Sequence, residues 1–198
     1  MNFRITEETL KKAKRNYIKY NELNDTITNI KKGVIEFNTL DNFDKAVWAY
    51  KPTNSGKFGN VFEIAVKQYF NGTRGNAFSV SAKGKTDFIY HGFKFESKSN
   101  CGELIDIEKN DYVVYTMDNK TNYKHPEEGR VIPAYLFVPM IEQCGLLRKS
   151  KKSTNGYRNN AIQSYSNSKR KREYLEKLLY GFPTVAEWKE KAKDYYKK

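Results

Sequence analysis

Residues 84–100 read GKTDFIYHGFKFESKSN. Two short alternating runs, TDFIY (86–90) and FKFES (93–97), flank His91 and Gly92, a composition that favours a hairpin closed by a two-residue turn. A turn of that length sets the register. Tyr90 then faces Phe93, Phe88 faces Phe95, and Asp87 faces Glu96 at about 5 Å between Cβ atoms. Along the second run side chains alternate, with Phe93, Phe95 and Ser97 on one face and Lys94, Glu96 and Lys98 on the other. Two carboxylates placed opposite each other repel unless a positive charge lies between them. A divalent cation meets that need, and Mg²⁺ is held by one or two carboxylates while keeping positions for water and phosphate oxygens. Lys98, on the face of Glu96, would lie beside such an ion.

Outward from the hairpin, GNVFEIAVKQYF reads as a helix stopped by Asn71-Gly72, after the loop-forming stretch VWAYKPTNSGK. AFSVSA (77–82) is expected to be a strand preceding the hairpin. CGELIDIEKND is read as holding a helical turn, and DYVVYTM and VIPAYLFVP as two further strands. Residues 6–23, with Leu10, Ala13, Tyr17 and Tyr20 at three- and four-residue spacings, suggest an N-terminal helix. The chain closes with two expected helices, REYLEKLLY and TVAEWKEKAKDYY, the second opened by a Thr184-x-x-Glu187 capping box.

Across 198 residues, 36 Lys and Arg outnumber 23 Asp and Glu, for a formal charge of +13. Such an excess points to a polyanionic partner, nucleic acid before a membrane surface. The segment 148–172 alone holds nine Lys or Arg and no acid. Its Arg148, Lys149, Lys151, Lys152, Arg158, Lys169, Arg170, Lys171 and Arg172 are the candidate phosphate contacts, with Lys83 and Lys85 nearer the hairpin. Two cysteines, two histidines and the absence of CxxC argue against a disulfide framework and the usual zinc sites. No apolar run approaches the length of a membrane span and the N-terminus lacks a secretory pattern, so a cytoplasmic, reducing setting is expected.

Asp87 followed on the paired strand by Glu96-Ser97-Lys98 resembles the motif of the PD-(D/E)XK, or restriction-endonuclease-like, nuclease superfamily. Thr86 stands where the family name has Pro. The resemblance spans roughly residues 56–118. Two other acidic-x-Lys triplets lack its context: Asp118-Asn119-Lys120 lies in a polar loop, and Glu187-Trp188-Lys189 on a capped helix, where residues two apart do not share a face. The resemblance implies an α/β core of a helix, a three-stranded antiparallel meander, a helix and further strands, flanked here by helical N- and C-terminal regions. It implies a single nuclease domain, with a core at about 56–140 between a helical region 1–50 and a basic, helical region 148–198.

The same resemblance implies hydrolysis of DNA phosphodiester bonds dependent on Mg²⁺, with Mn²⁺ as substitute. The ion would be held by Asp87, Glu96 and the main-chain carbonyl of Ser97, while Lys98 orients water or offsets charge developing on the phosphate. The family often adds a Glu from the first helix. Glu63, at the edge of the apolar face formed by Phe58, Phe62, Val66, Tyr69 and Phe70, is the residue that matches; pairing with Lys67 is the plainer role for it. A type II restriction endonuclease cutting double-stranded DNA as a homodimer is the expectation. A structure-selective enzyme such as a Holliday junction resolvase, or a non-catalytic nucleic-acid-binding protein with the same fold, are the alternatives.

Overall fold

The computed structural model describes residues 44, 54–74, 86–100, 102–104, 107–118, 122–149, 160–162 and 169–196. The expected N-terminal helix (6–23) and the strand AFSVSA (77–82) lie outside them.

Helix α1 (Asn54–Phe70) places Phe62, Val66 and Phe70 one turn apart, and all three are buried. It ends where the sequence suggests. Asn71 adopts φ 54°, its N–H donates to Gln68 O at 3.0 Å, and the Gly72 N–H donates to Lys67 O at 3.0 Å. That pair of bonds satisfies the last helical carbonyls around a left-handed Asn. Gly72 is required by close approach, because a Cβ there would meet the Phe88 ring at 2.7 Å.

Among the described residues, five strands form a mixed sheet in the order β1-β2-β3-β5-β6: β1 (Thr73–Arg74), β2 (Phe88–Tyr90), β3 (Phe93–Ser99), β5 (Tyr112–Thr116) and β6 (Arg130–Pro133). The β2–β3 hairpin has the expected register, Phe88↔Phe95, Ile89↔Lys94 and Tyr90↔Phe93. His91 and Gly92 turn it with φ 49° and 84°. Both central positions of this tight turn need positive φ, which glycine supplies freely. β3 then runs parallel to β5, with Glu96↔Val113 and Lys98↔Tyr115. Parallel neighbours need a crossover. Among the described residues this one contains β4 (Glu103–Leu104) and a 3₁₀ turn (Ile107–Lys109), with no α-helix.

Two apolar layers cover the sheet. On one face Phe62, Val66 and Phe70 of α1 pack with Phe88, Phe95, Val114 and Val131. On the other, Val113, Tyr115 and Ile132 pack with Phe137, Met140 and Ile141 of α2 (Ala134–Gln143), and with Leu175 and Leu179 of α3 (Lys169–Leu179). Alternation along β5 thus serves both layers, and each buried large side chain is worth about 1.5–3 kcal/mol. Helix α4 (Val185–Tyr196) closes the first layer. Its Trp188 lies 5.2 Å from Phe95 and 5.1 Å from Tyr112, ring centre to ring centre. Its start carries the expected box: Thr184 N–H donates to Glu187 Oε2 at 2.7 Å, and Glu187 N–H donates to Thr184 Oγ1 at 3.1 Å.

One expectation is corrected. VIPAYLFVP is not one strand, because β6 ends at Pro133 and Ala134 begins α2. Pro133 has no N–H to continue the ladder, and its fixed φ suits a helix entry. Leu147–Lys149 (β7) and Asn160–Ile162 (β8) are strands that join β4 in a second sheet, ordered β4-β8-β7.

Candidate functional site

The site begins with the way Asp87 meets β3. The Asp87 N–H donates to Phe95 O at 2.9 Å, and its Oδ2 accepts the Ser97 N–H at 2.7 Å. One residue therefore grips the strand twice, and its carboxylate is oriented by a backbone amide. At the other end of β3, Asp111 does the same: it accepts the Lys94 N–H on Oδ2 at 2.7 Å and donates its own N–H to Lys94 O at 2.9 Å. Strand β3 is fixed by an aspartate on each side.

Glu96 and Lys98 project from the face carrying Val113 and Tyr115. The Lys98 ammonium forms an ion pair and hydrogen bond with Glu96 Oε1, with only 21% of the lysine side chain and 9% of the glutamate side chain exposed. Burial alone would push the Lys98 pKa down. The negative charge of Glu96, then of Asp87, the hydrogen bond that Lys98 donates to Glu96 and lastly the charge of Glu63 outweigh it and hold the ammonium well above its usual range. Glu63, half-buried on α1, exerts the smallest of these influences. Lys67, one helical turn further on, places Nζ at 3.0 and 2.8 Å from the two carboxylate oxygens of buried Asp44.

The donor set is chemically suited to Mg²⁺, which takes hard oxygen ligands and needs no more than two carboxylates. Asp87 and Glu96 supply those two, and the Ser97 carbonyl directly follows Glu96 in sequence. Among the described residues no group of three or more His, Cys, Asp or Glu is gathered closely enough to hold a metal ion. The cation that contacts Glu96 is Lys98.

Of the expected phosphate contacts, Arg148, Lys169, Arg170 and Lys171 are exposed. Lys171 Nζ donates to Gly145 O at 2.8 Å, tying α3 to the turn before β7. Lys149 lies on β7. Lys83, Lys85, Lys151, Lys152 and Arg158 lie outside the described residues. Arg172 is a correction. Its side chain is buried, at 1% exposed, and its Nη1 donates to Asn100 Oδ1 at 2.5 Å. A guanidinium so enclosed cannot meet a phosphate from solvent. Neither this contact nor the clip by Asp111 has a local signature, since their partners are 72 and 17 residues away. Among the described residues no helix is long and apolar enough to cross a membrane. No family model, no curated protein and no solved structure matches the chain, so the meaning of the site rests on its own residues.

Proposed function

We propose that the protein is a Mg²⁺-dependent endodeoxyribonuclease with a restriction-endonuclease-like core, in its specific form a homodimeric type II enzyme that cuts double-stranded DNA. The observation that carries this reading is the largely buried ion pair of Glu96 and Lys98 on β3, beside the point where the Asp87 carboxylate accepts the Ser97 N–H. A solvated, merely decorative charged face would not bury such a pair beside a second carboxylate. The mixed α/β architecture, with this cluster on a central strand, supports the reading further.

Asp87 and Glu96 are the carboxylates that would hold the ion, with the Ser97 carbonyl as a further oxygen. When bound, Mg²⁺ would supply Lewis acidity at a phosphate oxygen. The chain's own groups do the remainder. Lys98, kept protonated by its acids, offsets negative charge that builds on the phosphate during bond exchange. Its raised pKa makes it an unsuitable proton acceptor at neutral pH. Arg148, Lys169 and Arg170, on the exposed surface, neutralise backbone phosphates, so that binding weakens as salt rises.

Incubating the purified protein with plasmid, with and without Mg²⁺, tests the proposal. Discrete fragments appearing only with the ion are expected. Smearing, or cutting confined to branched substrates, replaces restriction by another nuclease activity. Binding without cleavage in Mg²⁺ or Mn²⁺ overturns the enzymatic reading in favour of a binding protein.

A further inference from the structure

Arg172 occupies the first turn of α3, two residues after the exposed Arg170 and three after the exposed Lys169. Its guanidinium runs inward to Asn100, which lies two residues beyond Lys98. Asn100 is itself held on several sides. Its N–H donates to Thr116 O at 2.6 Å, its O accepts the Tyr115 hydroxyl at 2.8 Å, and its backbone sits at φ 47°. Asn tolerates that left-handed conformation better than most residues. Tyr115 is in turn the direct neighbour of Lys98 in the β3–β5 ladder.

Burying a guanidinium is costly, and an apolar side chain of similar volume commonly fills such a position at equal or better stability. What an apolar group lacks is direction. The planar fork of Arg fixes its donors in space, and here it fixes the start of α3 against the end of β3. Residues three apart on a helix are neighbours on its surface, so Lys169 sits on the side of α3 anchored by Arg172. About 7 Å of strand separates Asn100 from Lys98.

We propose that Arg172 is a positioning residue: through Asn100 it holds the phosphate-binding turn of α3 in register with Glu96 and Lys98, so that DNA gripped at Lys169 and Arg170 is presented to the cluster. This rests on the nuclease reading for its effect on cleavage, though the mechanical link between α3 and β3 does not.

The test compares wild type, Arg172→Met, Asn100→Asp and the double variant Lys169→Ala/Arg170→Ala, all as full chains at a temperature where each is folded. With plasmid DNA and Mg²⁺, Arg172→Met is expected to keep its Kd while its single-turnover rate at saturating DNA falls by up to about a hundredfold, the scale of a small misplacement. The double variant should weaken Kd, because Lys169 and Arg170 grip the DNA. Asn100→Asp, which keeps an acceptor for Arg172, should retain cleavage. Amide hydrogen exchange with the same DNA in Ca²⁺ gives a readout independent of chemistry. DNA should slow exchange in both α3 and residues 96–100 of wild type, but in α3 alone for Arg172→Met. If wild type shows this joint protection without ever cutting DNA, the nuclease reading falls and the link stands. If wild type cuts, and Arg172→Met matches it in saturating rate and in protection of residues 96–100, the link falls and the nuclease reading stands.

Discussion

Lys98 turns its ammonium back along its own strand onto Glu96, two residues earlier, so that a cation and an anion occupy one face of β3 at the point where Asp87 clips it. The pair is internally compensated in charge, yet each member faces a different demand once a phosphate arrives. Glu96→Ala and Lys98→Ala should each lower the single-turnover cleavage rate by at least about a hundredfold, as losing an electrostatic stabiliser does. DNA affinity, carried by the basic surface, should stay close to wild type in a filter-binding or anisotropy titration. Wild-type cleavage by Glu96→Ala would remove the site from consideration.

The same contact sets a pH dependence. The folded-state pKa of Lys98 stands above its unfolded value of about 10.4. Its contribution to stability is therefore fully present below that value and is lost only as pH rises through the folded pKa. Urea unfolding between about pH 7 and pH 10 should leave the stability difference between wild type and Lys98→Met constant. A stability difference that shrinks across that range would contradict this protonation state.

Gly92 closes the turn that aligns Asp87 with Glu96. A Cβ at this position meets no atom within 4 Å, so Gly92→Ala changes only backbone preference at φ 84°. The expected loss is about 1–2 kcal/mol in urea-induced unfolding. His91→Asn, which eases the neighbouring φ of 49°, should shift stability in the opposite direction.

Asp44 and Lys67 form an ion pair in which the side chains are 3% and 11% exposed. Removing one partner strands a buried charge, so Lys67→Met should cost about 3–5 kcal/mol. The double variant Asp44→Leu/Lys67→Met should recover much of that loss in a double-mutant cycle, because no charge then remains to be desolvated. Additive losses would show that the two residues act separately.

The hairpin and its charged face were legible in sequence because a two-residue turn and strict alternation together leave one register. The stop of α1 at Asn71-Gly72 and the box at Thr184 were legible for a similar reason, since caps are local chemistry. AYLFVP was not: a short unbroken apolar run suits a buried strand or a buried helix equally, and Pro133 decided between them. The second sheet was hidden because β4, β7 and β8 are two or three residues each, too short to show a period, and they pair across long separations. Arg172 looked like its basic neighbours. Only packing distinguishes it, for its place at the foot of Leu175 and Leu179 puts it on the inward face of α3.

Strand β4 leaves β3 and pairs with β8, Glu103 with Ala161 and Leu104 with Asn160. The exit from the charged strand is therefore secured by chain that is synthesised much later. On the ribosome, where N-terminal parts emerge first, a nascent polypeptide ending before residue 160 lacks both that pairing and the Arg172 anchor. That pairing and the anchor therefore form only after residues 160 and 172 have been synthesised.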